Sequence, residues 1–172
     1  MFGALLQLLF AAALGAVGAV AMGREQGAVA GICLAIAGVL TVSLVRYGGV
    51  MAAGRHYRAG RKSAAWRELG LVPLAGRLLA RQHRAYYGLL RTACRMDRAE
   101  WSAAIEDARR VLEIARIPPA NHATAHAAIA RCSLELGDHA AAADHLARAR
   151  SLPRKPQLDR LLAEVEAGLS RD

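Results

Sequence analysis

From Met1 to Met22 the chain carries no charged side chain, and from Gly27 to Val45 it again carries none. No other feature restricts the fold as strongly. An uncharged helix of about 20 residues is long enough to cross the hydrocarbon core of a bilayer, and a helix satisfies its backbone groups internally, as lipid demands. The two runs are separated only by the polar turn Gly23-Arg24-Glu25-Gln26-Gly27. The expectation is an N-terminal two-helix transmembrane hairpin over residues 1–53, with spans at about 2–22 and 28–46. A cleaved signal peptide fits less well, because Met1-Phe2-Gly3-Ala4 offers no basic side chain and the apolar run exceeds the usual length. Two buried core helices also fit less well, since the rest of a 172-residue chain holds too little apolar surface to wrap them. Small residues recur four apart, at Ala11, Gly15, Ala19 and Gly23 and at Gly27, Gly31 and Ala35. Such ladders let helix backbones approach closely, so Gly15, Gly27 and Gly31 are the expected hairpin-packing residues. Neither run contains Asp, Glu, Lys, Arg or His, which argues against an ion pathway.

Charge is distributed as unevenly as hydropathy. The chain has 23 Lys+Arg against 14 Asp+Glu, a formal charge of +9. Residues 1–45 are neutral and residues 85–172 carry +1, so residues 46–84, where nine cations face Glu68 alone, hold +8. Arg55, Arg58, Arg61, Lys62 and Arg67 are interleaved there with Tyr57 and Trp66. Cations mixed with amphipathic aromatics are expected just inside a membrane, against anionic lipid headgroups. The segment 54–84 therefore reads as a basic juxtamembrane collar. By the positive-inside rule it places the N-terminus and the C-terminal part in the cytoplasm. The 21 Arg against 2 Lys, with abundant Ala, suit a GC-rich coding sequence and hence a bacterial inner membrane. Nucleic acid is the rival polyanion for the same arginines, but lipid is nearer to a membrane span.

The C-terminal half repeats itself at 38 residues. Cys94 matches Cys132, Met96 matches Leu134, Ala104 matches Ala142, Arg110 matches Arg148 and Pro118 matches Pro156. Each unit reads as a helix (about 82–97 and 121–136), a brief turn, a second helix (about 100–115 and 138–151) and a proline-marked exit. Asn121 and Asp138 are candidate N-caps, Gly137 a helix stop, and a last helix spans about 157–169. The matching residues of the second unit are Ile129-Ala130, Gly137-Asp138, Ala142, Leu146, Ala149 and Pro153. The first contributes Trp101, Ala104-Ile105, Ala108, Val111-Leu112 and Pro118. Over about 85–156 this pattern resembles the tetratricopeptide-repeat (TPR) family. It departs from that family in its longer period, in His126 where a large residue is expected, and in Ser133 where an aromatic is expected. The resemblance implies an antiparallel helical array with a concave face for a protein partner, lined by Tyr86, Leu89, Ala93, Ala127, Arg131 and Leu134. Internal packing of the same surface is the alternative.

Motifs for catalysis or a cofactor are lacking. No G-x-x-x-x-G-K-[ST] loop, G-x-S-x-G elbow or HExxH occurs. The three cysteines form no C-x-x-C pair, which excludes a zinc ribbon. His122 and His126 share a helix face but lack further ligands nearby on that helix. With 55% hydrophobic residues, general disorder is excluded. The expected protein is all-α, with a transmembrane hairpin, a basic collar and a TPR-like domain over 85–172. Its expected role is that of a non-enzymatic membrane-anchored scaffold or adaptor for protein–protein interaction, without metal or cofactor. The alternative is an accessory subunit of a membrane complex whose hairpin makes the main contacts.

Overall fold

The computed structural model describes residues 12–13, 16, 31–38, 49–72 and 79–170. Among the described residues every regular element is a helix. They are α1 (Gly49–Arg58), α2 (Lys62–Gly70), α3 (Arg81–Met96), α4 (Trp101–Leu112), α5 (Pro119–Glu135), α6 (His139–Ser151) and α7 (Pro156–Leu169), besides a helical stretch at 31–38.

The all-helical expectation is met, but its transmembrane hairpin is corrected. Among the described residues no helix is long and apolar enough to cross a membrane. The expected transmembrane helices and the bacterial inner-membrane placement fall with it. Hydropathy reports how apolar a run is, whereas crossing needs that run in one unbroken helix of about 30 Å. Most of both runs, Gly15 and Gly27 included, lies outside the described residues. Gly31 is exposed, and a Cβ added there would meet nothing within 4 Å.

The supposed collar is a third helix pair. α1 and α2 bury Val50, Ala53, Ala65 and Leu69 together with Tyr87, Leu90 and Cys94 of α3, and Tyr57 and Trp66 pack against that cluster. A second cluster joins Ala85 of α3 to Ala108 and Val111 of α4 and to Ala125 and Ile129 of α5. A third joins Ala123, Ala127 and Ala130 of α5 to Leu146 and Ala149 of α6 and to Leu158, Leu162 and Val165 of α7. Thus α3 and α5 each contribute to two successive cores. That is the nearest-neighbour packing of a repeat stack.

The three turns are built alike. Gly60, Ala99 and Gly137 take the left-handed conformation, at φ +73°, +56° and +75°. In each, the next residue donates its backbone N–H five residues back: Arg61 to His56, Glu100 to Arg95 and Asp138 to Ser133, at 2.9–3.0 Å. This closure satisfies carbonyls that the helix end leaves open. Arg61, Glu100 and Asp138 then start the second helices from nearly the same backbone angles. Only Asp138 adds a side-chain cap, accepting from the Ala141 N–H at 3.0 Å. Asn121, the other expected cap, lies inside α5, which begins at Pro119. Counting from the three turn residues Arg61, Glu100 and Asp138, the fourth residue is a fully buried alanine (Ala65, Ala104, Ala142), and the eighth and eleventh are also buried. Small side chains there let paired helices approach closely. Gly88 does the same for α3 and α4, since an added Cβ would collide with Val111 Cγ2.

One turn lacks the residue its geometry favours. A non-glycine in the left-handed region costs about 1 kcal/mol, and Ala99 holds that position between α3 and α4. Ala99→Gly is expected to raise stability by about 0.5–1 kcal/mol, measured as the shift in urea midpoint. An unchanged or lowered midpoint would count against the shared turn geometry.

Candidate functional site

The residues expected to line a partner face are divided between two helices. Tyr86, Leu89 and Ala93 lie on α3. Tyr86 is at the surface, with its hydroxyl end over Gly54 of α1, Leu89 packs against the middle core, and Ala93 is half-buried. Ala127, Arg131 and Leu134 lie on α5 and are brought together beneath α7. Ala127 is fully buried, Leu134 packs where a side chain at Gly168 would stand, and Arg131 reaches Glu135 at 2.7 Å and Glu164 at 3.9 Å. The α5 part of this surface is therefore covered by the last helix.

The residues expected at a membrane surface serve other contacts. Arg55, Arg61 and Arg67 are exposed. Arg58 donates from Nε to the Gly54 carbonyl at 3.3 Å. Lys62 pairs with Asp97 at the end of α3, and Trp66 packs on the core with the Arg98 guanidinium 5.2 Å from its ring centre.

A more pronounced feature was not anticipated from the sequence. Among the described residues, two adjoining recesses that share Tyr87 and Arg91 form a cleft over α3, between α2 and α4. Toward α4 it has a volume of about 140 Å³, bounded by Arg84, Arg110, Val111 and Ile114, and toward α2 about 250 Å³, bounded by Trp66, Leu69 and Arg95. Among the described residues that line it the one acid is Asp107, which is 4% exposed. Arg91 Nε donates to its Oδ2 at 3.1 Å, Arg95 Nε lies 3.1 Å from the same oxygen, and Arg110 reaches Oδ1 at 3.8 Å. Although close, the Arg95 Nε–H has no hydrogen-bond partner, whereas its Nη1 donates to the Ala103 carbonyl. Burial pushes the Asp107 carboxyl upward, and the three guanidiniums pull against that shift. Four arginines line the cleft with the one carboxylate, and Arg110 also pairs with Glu106, which leaves an excess charge of +2. A signal was present in the sequence: Arg84, Arg91 and Arg95 are seven and four residues apart and fall on one helical face.

The cysteines and histidines do not form a comparable site. Burial pushes the thiols of Cys94 and Cys132 up to about 11, so both stay protonated at neutral pH. Among the described residues no group of three or more His, Cys, Asp or Glu side chains is arranged to hold a metal ion. His126 of α5 and His145 of α6 do meet, Nδ1 to Nδ1 at 2.9 Å with ring centres 5.1 Å apart. One imidazole must donate and the other accept, so protonating the acceptor breaks the bond. Both pKa values are lowered chiefly by burial. Arg148, Arg109 of α4 and His122 act in the same direction, and Asp144 opposes them.

A histidine whose folded pKa lies below its unfolded value binds fewer protons in the native state, so its contribution to stability is present above the unfolded pKa and is lost on acidification. The urea midpoint should therefore fall as pH drops through about 6.5, and His145→Gln should flatten that dependence. Identical pH profiles for the two proteins would contradict the pairing.

Set beside known proteins, the chain matches no family model, no curated protein and no solved structure.

Proposed function

We propose that the chain is a helical-repeat scaffold of the TPR kind, an adaptor whose work is to hold a partner protein rather than to transform a substrate. The observation that carries this reading is the cleft over α3. It is lined by arginines and aromatic side chains of the types enriched where proteins meet. The repeat construction supports it as well. Three pairs with equivalent turns are followed by a last helix, and stacked helix pairs of this kind offer extended surfaces for partners.

Site-specific photo-crosslinking in the native cell tests this. With p-benzoyl-phenylalanine at Arg84, at the cleft, one discrete adduct should form with a protein that mass spectrometry identifies. That protein, once purified, should rebind the unmodified chain. The same probe at Arg160, which is 89% exposed on α7, a helix that contributes no residue to the described lining of the cleft, should not give that adduct. Equal labelling from both positions, or none from either, would refute a scaffold acting through this surface.

A further inference from the structure

Arginines this far removed from water are expensive to maintain unless their N–H groups are matched. Arg91 and Arg95 have side chains 20% and 17% exposed, and they share the single carboxylate of Asp107. A guanidinium offers five donors, and a carboxylate accepts about four hydrogen bonds. Asp107 accepts from Arg91, the Arg95 Nε–H 3.1 Å from the same oxygen stays unpartnered, and Arg110 turns to Glu106 as well, so donors of Arg91 and Arg95 are left unmatched. Arg84 adds a fourth guanidinium to the rim, and among the described residues its side chain has no ion pair or hydrogen bond recorded. Between these charges the walls are apolar or aromatic: Trp66 and Leu69 on one side, Val111 and Ile114 on the other.

Donor-rich walls and an apolar interior select the ligand. We propose that the cleft over α3 takes an acidic segment of the partner protein, its carboxylates paired with Arg84, Arg91 and Arg110 and an apolar side chain seated in the recess beside Trp66. This specifies the chemistry of the partner and rests on the scaffold reading above. Carboxylates suit the site because a guanidinium binds them through two parallel N–H bonds in one plane. Nucleic acid suits it less well. Stacking requires an aromatic face open to a base, whereas Tyr87 is buried and Arg98 lies over Trp66.

Fluorescence anisotropy with the full chain tests the proposal. The probes are a short fluorescein-labelled peptide alternating Glu and Leu, the same peptide with Gln for Glu, and a labelled oligo-dT. The Glu peptide should bind, weaken as salt rises, and exceed the Gln peptide at least tenfold, by about 1.4 kcal/mol. The double variant Arg84→Gln/Arg110→Gln changes two rim side chains whose loss leaves the core intact. It should weaken the Glu peptide about tenfold with an unchanged circular dichroism spectrum. Arg91→Lys, which keeps the charge but not the planar fork, should also weaken it. Three results would overturn the proposal: no binding of the Glu peptide, equal binding of the Gln peptide, or oligo-dT binding as tight as the Glu peptide. A missing peptide signal with a persistent Arg84 crosslink would remove the acidic-segment assignment alone, and loss of both would remove the scaffold reading too.

Discussion

Asp107→Asn should destabilise the chain by about 3 kcal/mol or more, since removing one member of a buried ion cluster leaves uncompensated charge behind. Asp107 is 4% exposed and is the one acid among the described residues that line the cleft. Without its charge, Arg91 and Arg95 of α3 and Arg110 of α4 would repel one another across the seam between their helices. Asparagine keeps the shape and one oxygen acceptor, so the loss would report charge rather than volume. Arg91→Gln in the same background should restore part of the stability, because it removes a cation that no longer has a partner. Urea denaturation of the two single variants and the double variant measures this coupling. A loss below about 1 kcal/mol for Asp107→Asn, the range of solvent-exposed pairs, would mean that water already screens the cluster.

Leu162→Ala should cost about 2–5 kcal/mol, the usual range for truncating a buried leucine. Leu162 is 2% exposed on α7 and packs among Ala127, Ala130, Leu146 and Val165. Its neighbours on α5 are alanines, so little side-chain mass is available to move into the gap. The damage should also be local. In a stack where each helix contacts mainly its neighbours, amide exchange should accelerate in α5–α7 and change little in α1 and α2. Leu136→Ala supplies the contrast, since Leu136 is 50% exposed and its truncation should fall within about 0.5 kcal/mol. Uniform acceleration along the whole chain would show that the cores are coupled more strongly than their separate side-chain clusters imply.

Much of the C-terminal half is readable from residues alone. The five helices from α3 to α7 lie close to where 3.6-residue periodicity, Pro118 and Pro156 place them. Gly137 and Asp138 mark their turn correctly because left-handed backbone and N-capping have strong residue preferences. The first pair, α1 and α2, was hidden by composition. Arg55, Arg58, Arg61, Lys62 and Arg67 dominate that segment, and its buried residues Val50, Ala53, Ala65 and Leu69 are few and small enough to pass as spacing between charges. Gly60, in the middle of that segment, is the turn residue equivalent to Ala99 and Gly137.

The cleft was less legible because pattern reading treats helices one at a time. The arginine face of α3 is visible as spacing. Its meaning depends on Asp107 arriving from α4, sixteen residues from Arg91, and on α2 and α4 each forming a recess with α3. The partner face inferred from the TPR resemblance has the same limitation. Ala127 and Leu134 are placed on α5 correctly as small and large apolar residues, but whether such residues meet a partner or a helix of their own chain depends on how the stack ends. Here α7 covers them.

Local residue preferences therefore determined what is local in this protein: helix type, helix ends, the left-handed turns and the alanine positions at which helices pair. The tertiary structure decided what depends on distant segments meeting: that the basic stretch closes a third core, that the last helix covers α5, and that three arginines converge on one carboxylate over α3. The physical reason is range. Backbone conformational preferences and capping act within a few residues, whereas burial and charge pairing are set by whichever side chains the packed stack brings into contact.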